Sequence, residues 1–241
     1  MAEQKRNLVM VRFFIYFITL LVSSVVQDAS ARQVAAESTR QFRIVFLQKK
    51  SSMPDNVTLH LDGIPQMSVP LPGYQFSKSI SIKRSKSNVM VFAGKEYSDS
   101  TALQGFPSVS IPHSWSKFLL LAYEDSSNSK LPIKFYPINA SPGAFSNGDI
   151  MFINHSSSTL TGTVGREKLQ LSSQKTKLLS NISKHLSDAK VQIDIVSPRN
   201  KRQWFIYQAW KYRRDQRVLV YIHTPDQLLN PTYYSFEIRK F

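Results

Sequence analysis

Short apolar segments recur along this chain at nearly constant spacing, and that rhythm restricts it to a duplicated β architecture. Thr58-Leu59 followed by Gly63 returns as Thr159-Leu160 followed by Gly165. Val89-Met90-Val91 returns as Val191-Gln192-Ile193, and Trp115 with Leu119 to Tyr123 returns as Trp210 with Val218 to Tyr221. Ile133 to Ile138 returns as Tyr233 to Ile238. Each pair lies about a hundred residues apart, the size of one sandwich domain. Within the segments the side chains alternate, as in Phe42, Ile44 and Phe46 or Val57, Leu59 and Leu61, which is the period of a half-buried strand. Asp62-Gly63 is a two-residue hairpin signal, and Gly162 to Arg166 reads as a second hairpin turn needing positive φ. Only Gln174 to Asp188 resists, because Leu178, Leu179, Ile182 and Leu186 are spaced for either a short helix or a strand and turn. The expected fold is all-β: two tandem antiparallel β-sandwich, immunoglobulin-like domains over residues 40–140 and 145–241. Asn139 to Gly143, with its Pro and Gly, is the expected linker.

Ahead of the repeat lies a leader. Lys5, Arg6 and Arg12 precede an uncharged apolar run from Phe13 to Val26, and Ala29-Ser30-Ala31 supplies small residues two apart. This is the layout of a signal peptide over residues 1–31, with a retained N-terminal anchor as the other reading. The run is shorter than the roughly 20 apolar residues a spanning helix needs, and no second long apolar run follows. The expected location is therefore exported, periplasmic or extracellular. With no cysteine in 241 residues, disulfides, thiolate metal sites, cysteine nucleophiles and lipoprotein acylation are all excluded.

The charge is lopsided. Of 31 basic and 16 acidic residues, three and two fall in the leader, which leaves 28 against 14 in the remainder. An excess of that size attracts polyanions such as anionic glycans, lipopolysaccharide, nucleic acid or a membrane surface, and it also serves plain solubility.

Catalytic patterns are thin. No Gly-x-Ser-x-Gly elbow is present, and no Ser-x-x-Lys comes with its companion motifs. The five histidines show neither His-x-x-x-His nor Glu-x-x-His spacing, so no metal or cofactor is expected; His60 and Asp62 alone share a strand face. Gly162-x-x-Gly165 is too sparse for a phosphate cradle. Glu124-Asp125 falls where a strand runs into a Ser/Asn turn. A glycan hydrolase would need a carboxylate pair assembled in space.

One block carries functional flavour. Arg199, Lys201, Arg202, Lys211, Arg213, Arg214 and Arg217 are interleaved with Trp204, Phe205, Tyr207, Trp210 and Tyr212, opposed only by Asp215. Guanidinium groups grip phosphate or sulfate in pairs of hydrogen bonds, and exposed Trp204, Trp210 and Tyr212 rings would stack on sugars or bases. The alternative is a strand pair with its aromatics in the core and its cations blunting an exposed edge.

Phe145-Ser146-Asn147-Gly148-Asp149-Ile150-Met151-Phe152-Ile153-Asn154, then Leu160 to Gly165, Leu169-Gln170-Leu171 and Trp210 to Ile222, resemble a family of uncharacterised exported bacterial β-sandwich proteins. The tandem layout is also similar to paired immunoglobulin-like domains of the DUF4397 type. These resemblances imply export and a β fold, and they bring no activity, substrate or catalytic residue. The sequence thus points to an exported, non-catalytic binding or structural module, with polyanion binding through the basic-aromatic block and glycan hydrolysis as the alternatives.

Overall fold

The computed structural model describes residues 39–182, 188–199, 201–224, 231–239 and 241. The expected leader lies outside the described residues. Of those described, Thr39, Arg40 and Ser81–Arg84 belong to a small unit of their own. Everything else belongs to one larger unit.

The described residues hold sixteen strands and a turn of 3-10 helix at Ser100–Leu103. The first eight are β1 (Thr39–Phe46), β2 (Asn56–Leu61), β3 (Ile64–Pro70), β4 (Ile80–Lys83), β5 (Val89–Ala93), β6 (Ser108–Ser110), β7 (Lys117–Glu124) and β8 (Ile133–Asn139). The next eight are β9 (Ile150–His155), β10 (Thr159–Val164), β11 (Glu167–Leu171), β12 (Lys175–Leu179), β13 (Asp188–Val196), β14 (Arg202–Lys211), β15 (Arg217–His223) and β16 (Thr232–Ile238).

The strand order repeats. A sheet ordered β3-β2-β5-β6 in the first half corresponds to β11-β10-β13-β14 in the second, eight strands later. The run β1-β7-β8 corresponds likewise to β9-β15-β16, with β12 beside β9. Val89-Met90-Val91 and Val191-Gln192-Ile193 accordingly lie on β5 and β13, which hold the same place in their sheets. The two tryptophans do not correspond: Trp115 sits in the loop before β7, whereas Trp210 is inside β14. The ambiguous stretch from Gln174 opens with a strand, β12, because it completes a sheet by pairing antiparallel with β9.

Each half holds one parallel pair of strands. β1 runs parallel to β7, and β9 runs parallel to β15. β7, β9 and β15 read as nearly continuous apolar runs, and burial on both faces explains why, whereas β1 alternates until Ile44-Val45-Phe46. In β7, Phe118, Leu120 and Ala122 alternate with Leu119 and Leu121, and all five are buried. In β15, Val218, Val220 and Ile222 enter a core with Phe152, Leu160, Val191 and Ile206. Leu219 and Tyr221 point the other way, into a second cluster with Val45, Leu119, Leu121 and Ile138. That second cluster joins the two halves through the faces of their parallel-paired sheets.

Local chemistry sets the turns and the joint. Asp62 and Gly63 form the two-residue connection of β2 and β3, at φ 52° and 79°. Both central residues of a type I′ turn need positive φ, which Asp tolerates and Gly favours. The Asp62 carboxylate also accepts the Lys86 and Ser87 amides. The expected linker is pinned rather than free: Ala140 N donates to Lys117 O at 2.9 Å, Ser141 Oγ accepts the Ser116 amide, and Phe145 is buried in the joint. Asp149 accepts the amides of Ser146 and Asn181, while Asn154 donates its side-chain amide to Ser158, Leu171 and Ser172 carbonyls. The Gly148-Asp149…Asn154 motif is thereby accounted for as a structural staple.

Candidate functional site

The register of the β11-β10-β13-β14 sheet sorts its side chains between core and solvent. Directly opposed residues of an antiparallel pair share a face, and alternate residues along a strand share it too. Ala189, Val191, Ile193 and Ile195 of β13 face the core, as do Trp210 opposite Ala189 and Ile206 opposite Ile193. The outer face therefore carries Asp188, opposite Lys211, and Lys190, Gln192 and Asp194 of β13, with Thr161 and Thr163 of β10 beside them and Lys168 and Gln170 of β11 beyond.

β14 would continue that outer face as a simple alternation, but its register shifts. Asp194 pairs with Trp204 and Ile193 with Ile206, so Phe205 is an extra residue, a β-bulge. The consequence is large for the site. Strict alternation would place Trp204 on the same face as Ile206 and Trp210, in the core. The bulge turns it outward instead, onto the face of Tyr207. Trp204 is 83% exposed and Tyr207 46%, and their rings stack with centroids 5.2 Å apart at 27°. The result is a flat aromatic platform at the edge of a sheet.

Beneath it sits an ion pair. Asp194 is only 3% exposed, a burial that a carboxylate tolerates when it is paired and hydrogen-bonded. Arg202 Nε donates to Asp194 Oδ2 at 2.6 Å and Tyr207 Oη donates to Oδ1 at 2.8 Å. The hydrogen bond to Asp194 raises the Tyr207 phenol pKa above its ordinary value, and burial adds to this. One carboxylate thus fixes a ring of the platform and the guanidinium beside it.

The structure divides the block singled out by sequence. Trp204 is the one ring of Trp204, Trp210 and Tyr212 on the surface. Trp210 packs half-buried against Phe152, centroids 6.4 Å apart, and Tyr212 is buried in the same core. Period-two alternation predicts all three together; the bulge separates them. Tyr207, Trp204's stacking partner, carries no distinguishing signal without that bulge.

Of the cations, Arg199, Lys201, Lys211, Arg213 and Arg214 are exposed, with Arg213 bonded to its neighbour Asp215. Arg202 serves Asp194. Arg217 turns inward: its Nη1 donates to Ala140 O at 3.1 Å and to Phe145 O, and its guanidinium lies over the Phe145 and Phe241 rings. Burial above all lowers its pKa, as does Arg43, while Asp149 opposes. Arg217 clamps the joint between the halves.

Other candidates resolve into structure. His60 is fully buried, its Nε2 accepting the Tyr97 amide at 3.2 Å, while Asp62 caps the turn facing it. No cluster of three metal-ligating His, Cys, Asp or Glu forms among the described residues. Glu124 pairs with Lys50 and Asp125 accepts from Ser127, so these neighbours do not act as a facing pair. No family model matches the chain, and no curated protein matches it either.

Proposed function

We propose that this chain is an exported, non-catalytic β-sandwich module that binds an anionic glycan across the outer face of the β14 sheet. The observation that carries the reading is the Trp204–Tyr207 platform, two stacked rings held open to solvent by a bulge and a buried carboxylate. Large exposed aromatic rings cost hydration and earn a place where they have something to cover. A sugar ring lays its C–H face on such a surface. Thr161, Thr163 and Gln192, on the same face, offer neutral donors and acceptors to its hydroxyls. Lys190, Lys211 and Lys168 supply charge for sulfate or carboxylate groups, and Arg213 and Arg214 extend it beyond the strand end.

Heparin affinity chromatography across a salt series tests the reading. The wild-type chain should be retained at low salt and released steeply as salt rises. Trp204→Ala should weaken binding by about tenfold, the scale of roughly 1–1.5 kcal/mol of ring stacking. Replacing Arg213 and Arg214 with Ser should flatten the salt dependence without altering the fold. Unchanged retention in Trp204→Ala would remove the platform from function. Equal retention on DNA would move the ligand from glycan to nucleic acid.

A further inference from the structure

A cleft of about 390 Å³ opens at the joint between the halves, within the size range of small-ligand sites. It lies where the paired strands β1 and β7 and the paired strands β9 and β15 come to their ends. Gln48 and Glu124 reach it from the first half, and Gln174, His155, Tyr221 and Thr224 from the second.

Four features of this cleft converge. First, Gln48 and Gln174 both hold left-handed backbones, with φ 54° and 58°. That region suits Gly, Asn and Asp, and a glutamine there stores strain of the kind found at ligand clamps. One comes from each half, and both line the same cavity. Second, its walls are rings: His155 meets Tyr221 at 5.2 Å with Nδ1 3.0 Å from the phenol, and Tyr221 meets His223 at 5.6 Å. Burial lowers the His155 pKa, which favours the neutral imidazole. Third, the cleft's charges are balanced. In a chain of net charge +15, its Lys50 is neutralised by Glu124 at 2.6 Å. Fourth, Thr224 Oγ1 is buried and has no hydrogen-bond partner among the described residues.

We propose that this cleft is a second binding site, taking a neutral sugar unit rather than an anion. The rings receive the C–H face of a pyranose. Gln174 Nε2 already donates to His155 O at 3.1 Å and the Gln48 side chain to the Tyr234 phenol, which fixes both amides and leaves each a second N–H and its carbonyl oxygen for hydroxyls. A vicinal diol bridges Lys50 and Glu124, accepting from one and donating to the other. Thr224 gains the partner it lacks. This site is independent of the glycan face on the β14 sheet, which selects by charge.

Titration calorimetry of the full chain with maltose, cellobiose and N,N′-diacetylchitobiose tests the proposal. At least one should bind with a dissociation constant at or below about 1 mM. Gln174→Gly relieves the left-handed backbone and gives up the exposed hydrogen bond to His155 O, so the two effects offset and its melting temperature should stay close to that of wild type while its affinity falls by about tenfold, the scale of a lost hydrogen bond. Trp204→Ala should bind the disaccharide as wild type does. The proposal is overturned if none of the three sugars binds at that level or if Gln174→Gly binds them unchanged. It is also overturned if binding is lost in Trp204→Ala and kept in Gln174→Gly, which would place the sugar on the sheet. Heparin retention reads only the charged face, so either site can fail without the other.

Discussion

β6 and β14 hold the same place at the outer edge of corresponding sheets, yet one has 3 residues and the other 10. β6 reads Ser-Val-Ser and pairs with β5 at three positions, its single valine buried and its serines exposed. β14 pairs with β13 along nine positions and carries the bulge, the exposed platform and the ion pair to Asp194. The architecture therefore closes with a three-residue edge. The added length of β14 is not needed for closure, and its outward-facing residues are of the types that contact ligands. A long edge also invites pairing with other chains, and Arg202, Lys211 and the bulge guard against that. The same cations serve both ends, which is why their presence in the sequence alone does not decide between them.

The comparison breaks most completely at Gly162. A Cβ there would lie 1.9 Å from the Gln192 carbonyl oxygen and 2.8 Å from Ile193 Cα, inside the backbone of the paired strand. No side-chain adjustment relieves a backbone overlap, so Gly162→Ala should cost about 3 kcal/mol or more by forcing β10 away from β13. The apolar cluster shared by Leu119, Leu121, Leu219 and Tyr221 ties the halves together. Urea unfolding of the variant, followed by both fluorescence and far-ultraviolet circular dichroism, should show one shared transition at lower urea. Two separated transitions would show instead that the first half keeps its fold when the second is lost.

A smaller effect comes from the first residues of β7 and β15. Lys117 and Arg217 occupy the same place in the repeat, and each lies 5.6 Å over the ring of Phe241. Arg217 alone adds hydrogen bonds to the carbonyls of Ala140 and Phe145. Arg217→Ala should therefore destabilise by about 2 kcal/mol, as for a charged donor lost from part-buried carbonyls. Lys117→Ala, which loses a cation over a ring, should cost about 0.5–1 kcal/mol. Equal losses in denaturant midpoint would mean that the hydrogen bonds to the joint contribute nothing beyond the ring contact.

The β fold was legible in the sequence because alternation and turn chemistry are local. Phe42, Ile44 and Phe46 identify β1, Asp62-Gly63 identifies a hairpin, and Val89–Val91 and Val191–Ile193 mark corresponding strands. The parallel pairing of β1 with β7 was not legible, since a continuous run such as Leu119-Leu120-Leu121 records burial on two faces and not the direction of its neighbour. The site was half legible. The block from Arg199 to Arg217 announces cations and rings, but one unpaired residue, Phe205, decides that Trp204 faces water while Trp210 and Tyr212 do not. Arg217 shows the same limit from the other side, because its partners at Ala140 and Phe145 are more than seventy residues away in the chain. The cleft left no signal, being assembled from segments as distant as Gln48 and Thr224.

The smallest expected difference between the halves appears on acidification. The last rung of the parallel pair is Phe46–Ala122 in the first half and His155–His223 in the second. Only the second can take up a proton. His155 is half-buried against Tyr136 and Tyr221, and desolvation lowers its folded-state pKa below the ordinary histidine value of 6.5. The unfolded chain then binds the proton first as pH falls, so the group's contribution is fully present above that ordinary value. It is lost progressively as pH descends toward the folded value. His155→Gln retains a polar partner for the Tyr221 phenol but does not titrate. Urea midpoints measured between about pH 7.5 and about pH 5, the range histidines govern, should fall more for wild type than for the variant. The aspartates whose pKa is lowered, Asp55, Asp99, Asp125 and Asp215, titrate below that range and are common to both proteins. Parallel curves for the two proteins would show that the imidazole is as well solvated in the folded chain as in the unfolded one, and the acid sensitivity of the second half would then have to come from another group.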